Sequence, residues 1–84
     1  MYVEFLGIPR ERAGVAEVEL DAETLGQALT SVVARFPALR ELITADRLHS
    51  SIAANLNGDV FVTDPNTSLA AGDRLLLLSA DAGG

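Results

Sequence analysis

The residues that are the best candidates for taking part in a reaction are the last two, Gly83 and Gly84. Glycine has no Cβ and adopts any backbone angle, so a carboxylate carried on two glycines passes through a slot that other residues would block. The apolar run 75–78 indicates a buried strand, and the tail 79–84 reaches at most about 20 Å when extended. The pattern predicts a reactive chain end, mounted on a small domain, that enters another protein's active site. The alternative is a frayed terminus, which is common.

A second group of residues has the side-chain types of a hydrolytic triad: His49, with Asp46 before it and Ser50-Ser51 after it. A hydrolytic triad needs groups that converge from separate elements, and these are neighbours in one polar stretch, so we interpret them as loop residues. Three further acids stand at predicted turns, where aspartate is favoured for backbone reasons: Asp59, Asp64 and Asp73. Their spacing does not fit a metal site, and no glycine-rich phosphate loop occurs. We therefore expect no active site, metal or bound cofactor in this chain.

The composition narrows the classes of partner. A net charge of −6, from twelve acids and six arginines, argues against nucleic acid because little would neutralise phosphates. No apolar run approaches the roughly 18 residues that span a bilayer, and Glu4 stands where a signal peptide would be apolar. We expect a cytoplasmic protein without a membrane partner. The absence of cysteine excludes a thiolate nucleophile, and the absence of lysine means that no side chain can accept an isopeptide bond.

Hydrophobic patterns predict five strands and one helix, in the order β-β-α-β-β-β. The helix begins at Thr24, which with Gln27 fits a capping box, and ends before Pro37. Asn57-Gly58 favours a hairpin turn with positive φ at both residues. Residues 10–14 are interpreted as a turn after the Gly7-Ile8-Pro9 break. The predicted strands are residues 2–6, 15–20, 52–56, 60–62 and 74–79.

This order predicts a single α+β domain over residues 1–84, with the helix covering one face of a mixed sheet and the last strand pairing beside the first. That is the β-grasp, or ubiquitin-like, architecture. In the last strand, alternation sends Leu75 and Leu77 towards the helix and leaves Leu76 and Leu78 outside. Exposed leucines on a sheet often mark a partner surface; the alternative is that a loop covers them.

With this order established, three segments resemble the ubiquitin-like sulfur carriers, and most closely the small subunit of molybdopterin synthase (the MoaD-type branch). Residues 5–14, Phe-Leu-Gly-Ile-Pro-Arg-Glu-Arg-Ala-Gly, are similar to that branch's Arg-Glu loop. Asn57-Gly58 followed by residues 67–73 is similar to its Val-Asn and Leu-x-x-Gly-Asp segments, and Gly83-Gly84 is the shared terminus. The thiamine-pathway carriers (ThiS type) lack the Arg-Glu loop. The chain departs from the family in having no proline between the last strand and Gly83.

The resemblance implies a carrier subunit without its own active site. A ubiquitin-activating-type adenylyltransferase (MoeB-like) would use ATP and Mg to convert the Gly84 carboxylate to an acyl adenylate. Sulfur from a persulfide donor would then give a thiocarboxylate. The molybdopterin synthase large subunit (MoaE-like) would receive the chain end. The resemblance and the exposed sheet face together predict partner contacts at six residues: Phe5, Arg10, Leu76, Leu78, Asp81 and Ala82.

Two other kinds of function remain open at this point. The chain could be a ubiquitin-like modifier joined to lysines of other proteins, or a sulfur carrier for thiamine, tRNA thiolation or cysteine. It could also be a β-grasp binding module with an inert tail. The modifier needs the same activation of Gly84 as the carrier, so the residues do not separate the two.

Overall fold

The computed structural model describes residues 1–80. These residues form five strands, two α-helices and one 3₁₀ turn at Pro37–Leu39. The strands are β1 (Tyr2–Leu6), β2 (Glu17–Glu19), β3 (Ile52–Leu56), β4 (Val60–Phe61) and β5 (Arg74–Ser79), and the helices are α1 (Ile8–Ala13) and α2 (Leu25–Arg35). None of the helices in this part of the chain is long and apolar enough to cross a membrane.

The strands form one mixed sheet in the order β2-β1-β5-β3-β4. Strand β5 is central: it pairs parallel with β1 and antiparallel with β3. The last strand therefore lies beside the first, as predicted, and the predicted β-grasp topology is confirmed. The bounds of β1, β3 and β5 are those that the hydrophobic pattern predicts.

Helix α2 covers one face of the sheet, and the core lies between them. Its start is capped as predicted, because Thr24 Oγ1 accepts a hydrogen bond from Gln27 N at 3.2 Å. The largest fully buried side chains come from this helix, from the sheet and from the chain that follows α2: Leu25, Leu29, Val32, Leu39, Ile43, Val3, Leu75 and Leu77. The inward positions that alternation assigns to Leu75 and Leu77 in the last strand are thus confirmed.

The N-terminus of the chain is part of this core. Met1 is 5% exposed, and its amino group donates a hydrogen bond to Leu20 O at 2.9 Å. The interaction extends the antiparallel pairing of β1 with β2, because Leu20 N in turn donates to Met1 O. The amine therefore faces the neighbouring strand.

The prediction of a turn at residues 10–14 is wrong, because helix α1 occupies Ile8–Ala13. Pro9 lies in the first turn of the helix, where a missing N–H costs nothing. Gly14 ends the helix with φ 77° and donates a hydrogen bond to Arg10 O. A six-residue helix is too short to show helical periodicity in the sequence. The Gly7-Ile8-Pro9 segment therefore indicates a chain break rather than the start of a helix.

Candidate functional site

The functional site predicted from the sequence is the chain end, which follows β5 in the sequence. Ser79 is the last residue of β5 and pairs with Ile52 of β3, and Ala80 N donates to Ser51 O at 2.7 Å. The first two residues of the predicted tail are therefore bonded to the domain. Asp81, Ala82 and Gly83-Gly84 lie outside the described residues, so what was expected of them stays a prediction.

The face of the sheet opposite α2, here called the outer face, carries apolar side chains near the end of β5. Strand pairing places Leu6 beside Leu78, Leu78 beside Ala53, and Phe61 across from Asn55. Leu6 is 45% exposed and Phe61 is 63% exposed. We call Leu6, Ala53, Leu76, Leu78 and Phe61 the apolar patch.

The expectation that Leu76 and Leu78 are both exposed needs correction. Leu78 is only 9% exposed, since β5 is a central strand and Leu78 is flanked by Leu6 on one side and Ala53 on the other. Leu76 is half-buried between Glu4 and Asn55. The exposed part of the patch thus comes from its margins, on β1 and β4.

The sequence pattern does not identify Phe61 and Leu6 as exposed residues of the outer face. Residues 60–62 are apolar throughout, so alternation does not show which side chain faces outwards. Leu6 stands next to the Gly7 break and gave no signal of its own. The register of β4 against β3 decides the question, because it places Phe61 opposite Asn55 on the outer face and Val60 opposite Leu56 on the helix face.

Phe5 does not occupy the exposed position that a partner contact requires. Its side chain is 3% exposed and lies on the helix face of β1, where its ring meets Phe36 edge-on at a centroid distance of 5.4 Å. The physical reason is strand alternation, which places Phe5 on the same side as Val3. Leu6, its neighbour, is the β1 residue on the outer face.

Arg10 is exposed on α1 and forms no ion pair with any residue in the part of the chain that the structure describes. The neighbouring Arg12 donates to Ala38 O at 3.1 Å, which ties α1 to the chain after α2. A loop salt bridge between Arg10 and Glu11 is thus not formed. The proposed partner contact at Arg10 stays a prediction.

The far end of the outer face, away from the end of β5, is charged. Arg74 Nη1 donates to Glu17 Oε2 at 3.2 Å and to Glu4 Oε1, and its guanidinium lies 4.9 Å from the centre of the Tyr2 ring. The hydrogen bonds that Arg74 donates, first to Glu17 and then to Glu4, raise the pKa of Arg74 above its usual value. All these side chains are exposed or half-exposed, so the pairs fix geometry more than they stabilise the fold.

His49 and Ser51 meet in a turn rather than in a catalytic arrangement. Ser51 Oγ lies 2.8 Å from His49 Nδ1, and Ser51 N donates to the same nitrogen at 3.1 Å. No carboxylate among residues 1–80 hydrogen-bonds to the His49 ring. The same turn supplies the carbonyl that binds Ala80 N, so its observed contact is with the end of β5. Within these residues no group of His, Asp and Glu side chains is placed to hold a metal ion.

The fold of residues 1–80 defines a β-grasp protein, and the sequence ends in Gly83-Gly84. The ThiS family model matches residues 3–84, and the chain belongs to the ThiS family. None of the curated, characterised proteins matches its sequence significantly.

Solved structures agree with this assignment. The small archaeal modifier protein 1 of Methanosarcina acetivorans is 26% identical with a TM-score of 0.79, over 99% of this chain and 94% of that one. The small archaeal modifier protein 1 of Haloferax volcanii is 30% identical with a TM-score of 0.74, over 99% and 97%. The BexX/CysO complex of Amycolatopsis orientalis contains a chain that is 27% identical with a TM-score of 0.79, over 99% and 98%. Two small archaeal modifier proteins and a chain of the BexX/CysO complex thus share this fold and its length.

Proposed function

We propose that the chain is a sulfur carrier whose Gly84 carboxylate is activated by a partner enzyme and converted to a thiocarboxylate. The observation that carries this proposal is the extent of the ThiS family match, which runs to residue 84 and so includes the Gly83-Gly84 end. The cargo sits on the chain end, so the protein needs neither a cysteine nor a catalytic site of its own.

The chemistry has three steps. The Gly84 carboxylate attacks the α-phosphorus of ATP, bound with Mg by the partner, and pyrophosphate leaves. The terminal sulfur of a donor persulfide then attacks the acyl carbon, and AMP leaves. A thiol then attacks the donor-cysteine sulfur of the resulting acyl disulfide, so that a disulfide forms between that thiol and the donor and the thiocarboxylate leaves. The carboxylate alone is a poor electrophile, so the adenylate is what makes the substitution feasible.

The role of the domain is to present this end to enzymes that dock on its surface. The apolar patch adjoins the end of β5, with Phe61 63% exposed, and exposed apolar side chains of this kind commonly mark interaction surfaces. We propose that a MoeB-like adenylyltransferase docks on this patch in the cytoplasm. Asp81 and Ala82 would follow the chain end into its active site, and Arg10 on α1 would contact the same enzyme.

The pathway that we propose is molybdopterin synthesis, with a MoaE-like large subunit as the sulfur acceptor. The support is the Arg10-Glu11 segment, which resembles the Arg-Glu loop of the molybdopterin branch. Expression of the chain in a strain that lacks the small synthase subunit tests this assignment. Recovery of molybdenum-cofactor synthesis supports it. A chain that acquires the thiocarboxylate but does not restore synthesis belongs to another pathway.

Intact-mass spectrometry tests the carrier function itself. The chain is coexpressed with its adenylyltransferase and a sulfur source, and a mass increase of one oxygen-to-sulfur exchange is expected. Deletion of Gly84 should abolish the increase. Gly72→Ala is the matched control, because a Cβ at Gly72 meets no atom within 4 Å and the residue precedes β5, away from the chain end. No mass change in the intact chain would contradict the proposal.

A second candidate function is protein modification, favoured by the similarity to two proteins described as small archaeal modifiers. Both functions need an activated Gly84, but a modifier transfers its acyl group to amines of other proteins. Blots of cell lysate with a tagged chain separate them. A ladder of conjugates that disappears with the Gly84 deletion supports modification, whereas a thiocarboxylate without a ladder supports the carrier alone.

A further inference from the structure

Helix α1 has no capping side chain of its own. Its N-cap residue is Gly7, with φ 68° and ψ −132°, a conformation that only glycine adopts without strain. A Cβ at this position would collide with the hydroxyl of Ser79. Instead, Ser79 Oγ accepts a hydrogen bond from Ile8 N at 2.7 Å. The hydroxyl of Ser79 therefore takes the place of a local N-cap side chain, although the two bonded residues are 71 positions apart.

Ser79 is held from its other side as well. Its backbone pairs with Ile52 in the β3–β5 ladder, and the next amide, Ala80 N, donates to Ser51 O at 2.7 Å. The point where the chain leaves the sheet is thus bonded both to β3 and to α1. The side-chain bond to Ile8 N is the one that fixes this point relative to α1.

We infer that Ser79 is a positioning residue for the reaction at Gly84, an inference that rests on the proposed sulfur-carrier function. Residues 81–84 span at most about 14 Å, so the direction in which the chain leaves Ala80 decides where the carboxylate can lie. When a partner docks on the apolar patch and α1, the residue from which the chain end starts is already held in a fixed position relative to that surface. Pre-set geometry raises the effective concentration of the reacting group.

A matched control separates positioning from simple helix capping. Thr24 Oγ1 caps α2 with one hydrogen bond from Gln27 N, and it lies outside the apolar patch and α1. Thr24→Ala and Ser79→Ala each remove one hydroxyl cap, so both should lower the unfolding midpoint by a similar amount. Only the second should change the reaction at the chain end.

The experiment measures adenylation by the adenylyltransferase that supports the mass change described above, at a temperature where every variant is folded. Ser79→Ala should lower kcat about three- to tenfold, as expected for the loss of one hydrogen bond that holds the start of the chain end in place. The docking surface is intact, so KM should change little. Thr24→Ala should react like the wild type, and Ser79→Thr, which keeps the hydroxyl, should recover most of the rate.

Ile8→Pro is a second variant, which removes the donor of the same hydrogen bond instead of its acceptor. It removes the donor N–H at the first helical position, where proline is favoured, and should reproduce the kcat loss. Wild-type rates for Ser79→Ala and Ile8→Pro, or an equal loss for Thr24→Ala, would overturn the positioning role while the carrier function stands. A wild-type chain that is not adenylated would overturn the proposed function, and this inference with it.

Discussion

Asp73 organises the turn that leads into β5. Its carboxylate accepts hydrogen bonds from Ala70 N at 2.8 Å and from Asn57 Nδ2 at 3.0 Å. Asn57 Oδ1 in turn accepts from Arg74 N at 2.9 Å, so the two side chains join the hairpin turn to the start of the central strand. These bonds, Ala70 first and then Asn57, lower the pKa of Asp73 below its usual 3.8.

The lowered pKa predicts an acid-dependent contribution of Asp73 to stability. Because the folded-state pKa lies below the unfolded one, the stabilisation is fully present above 3.8 and is lost as the pH falls through the lower, folded value. Asp73→Asn, which replaces one accepting oxygen, should lower the free energy of unfolding at neutral pH. The deficit should shrink in acid, as measured by urea unfolding across the acid range.

The control for this prediction is Asp59→Asn, which changes the net charge by the same amount. The Asp59 carboxylate accepts no hydrogen bond from residues 1–80, so its replacement should have little effect at either pH. A deficit for Asp73→Asn that is independent of pH would show that shape, rather than ionisation, matters at this turn.

At the scale of elements, β4 offers a matched pair of exposed apolar residues on opposite faces. Phe61 is 63% exposed on the outer face, and Val60 is 51% exposed on the helix face. Phe61→Ser should weaken binding to the activating enzyme about tenfold or more, because Phe61 is the most exposed side chain of the apolar patch and aromatic residues often contribute most of the binding energy at an interface. Val60→Ser should leave binding unchanged. Calorimetric titration gives both affinities.

Both substitutions should change the free energy of unfolding by less than about 1 kcal/mol, because the two side chains are already largely in water and only β-propensity is lost. Urea unfolding checks this requirement. Equal affinity of the two variants for the enzyme would show that docking does not use this end of the apolar patch.

The elements differ in how far the sequence predicts them, and the difference follows from the range of the interactions. The bounds of β3 and β5, the Thr24 cap and the positive φ of Asn57 and Gly58 depend on local signals and are confirmed. The burial of Leu78 depends on which strands flank β5, which no local pattern contains.

The same reasoning applies to the candidate site. The Gly83-Gly84 end is visible in the sequence because its chemistry is that of its own residues. The hydrogen bond from Ile8 N to Ser79 Oγ joins the two ends of the described chain, and the outward position of Phe61 depends on the register of β4. Such contacts become predictable only once the sheet order β2-β1-β5-β3-β4 is known.

At the scale of the whole molecule, the chain combines a lysine-free sequence with a Met1 amino group that is hydrogen-bonded to Leu20 O. In a chain that begins at Met1, an amine-reactive ester should therefore label the folded protein more than about tenfold more slowly than the urea-unfolded protein, since labelling requires local opening. Mass spectrometry should find one label at most.

Arg40→Lys is the control, because Arg40 is exposed and its replacement places an accessible amine on the folded domain. This variant should acquire a label quickly without urea. Equal labelling rates for the folded and unfolded wild type would show that the Met1 amine is open to solvent.

Because the Met1 amine is buried, the folded chain can act as the acyl donor in a transfer reaction but not as the acceptor. A chain that begins at Met1 can donate its own carboxyl group, but in the folded state its lysine-free sequence and its hydrogen-bonded amine offer no free amine with which to receive another copy. Each conjugate formed by the second candidate function would accordingly contain a single copy of the domain at each attachment point, and its length would not grow with time.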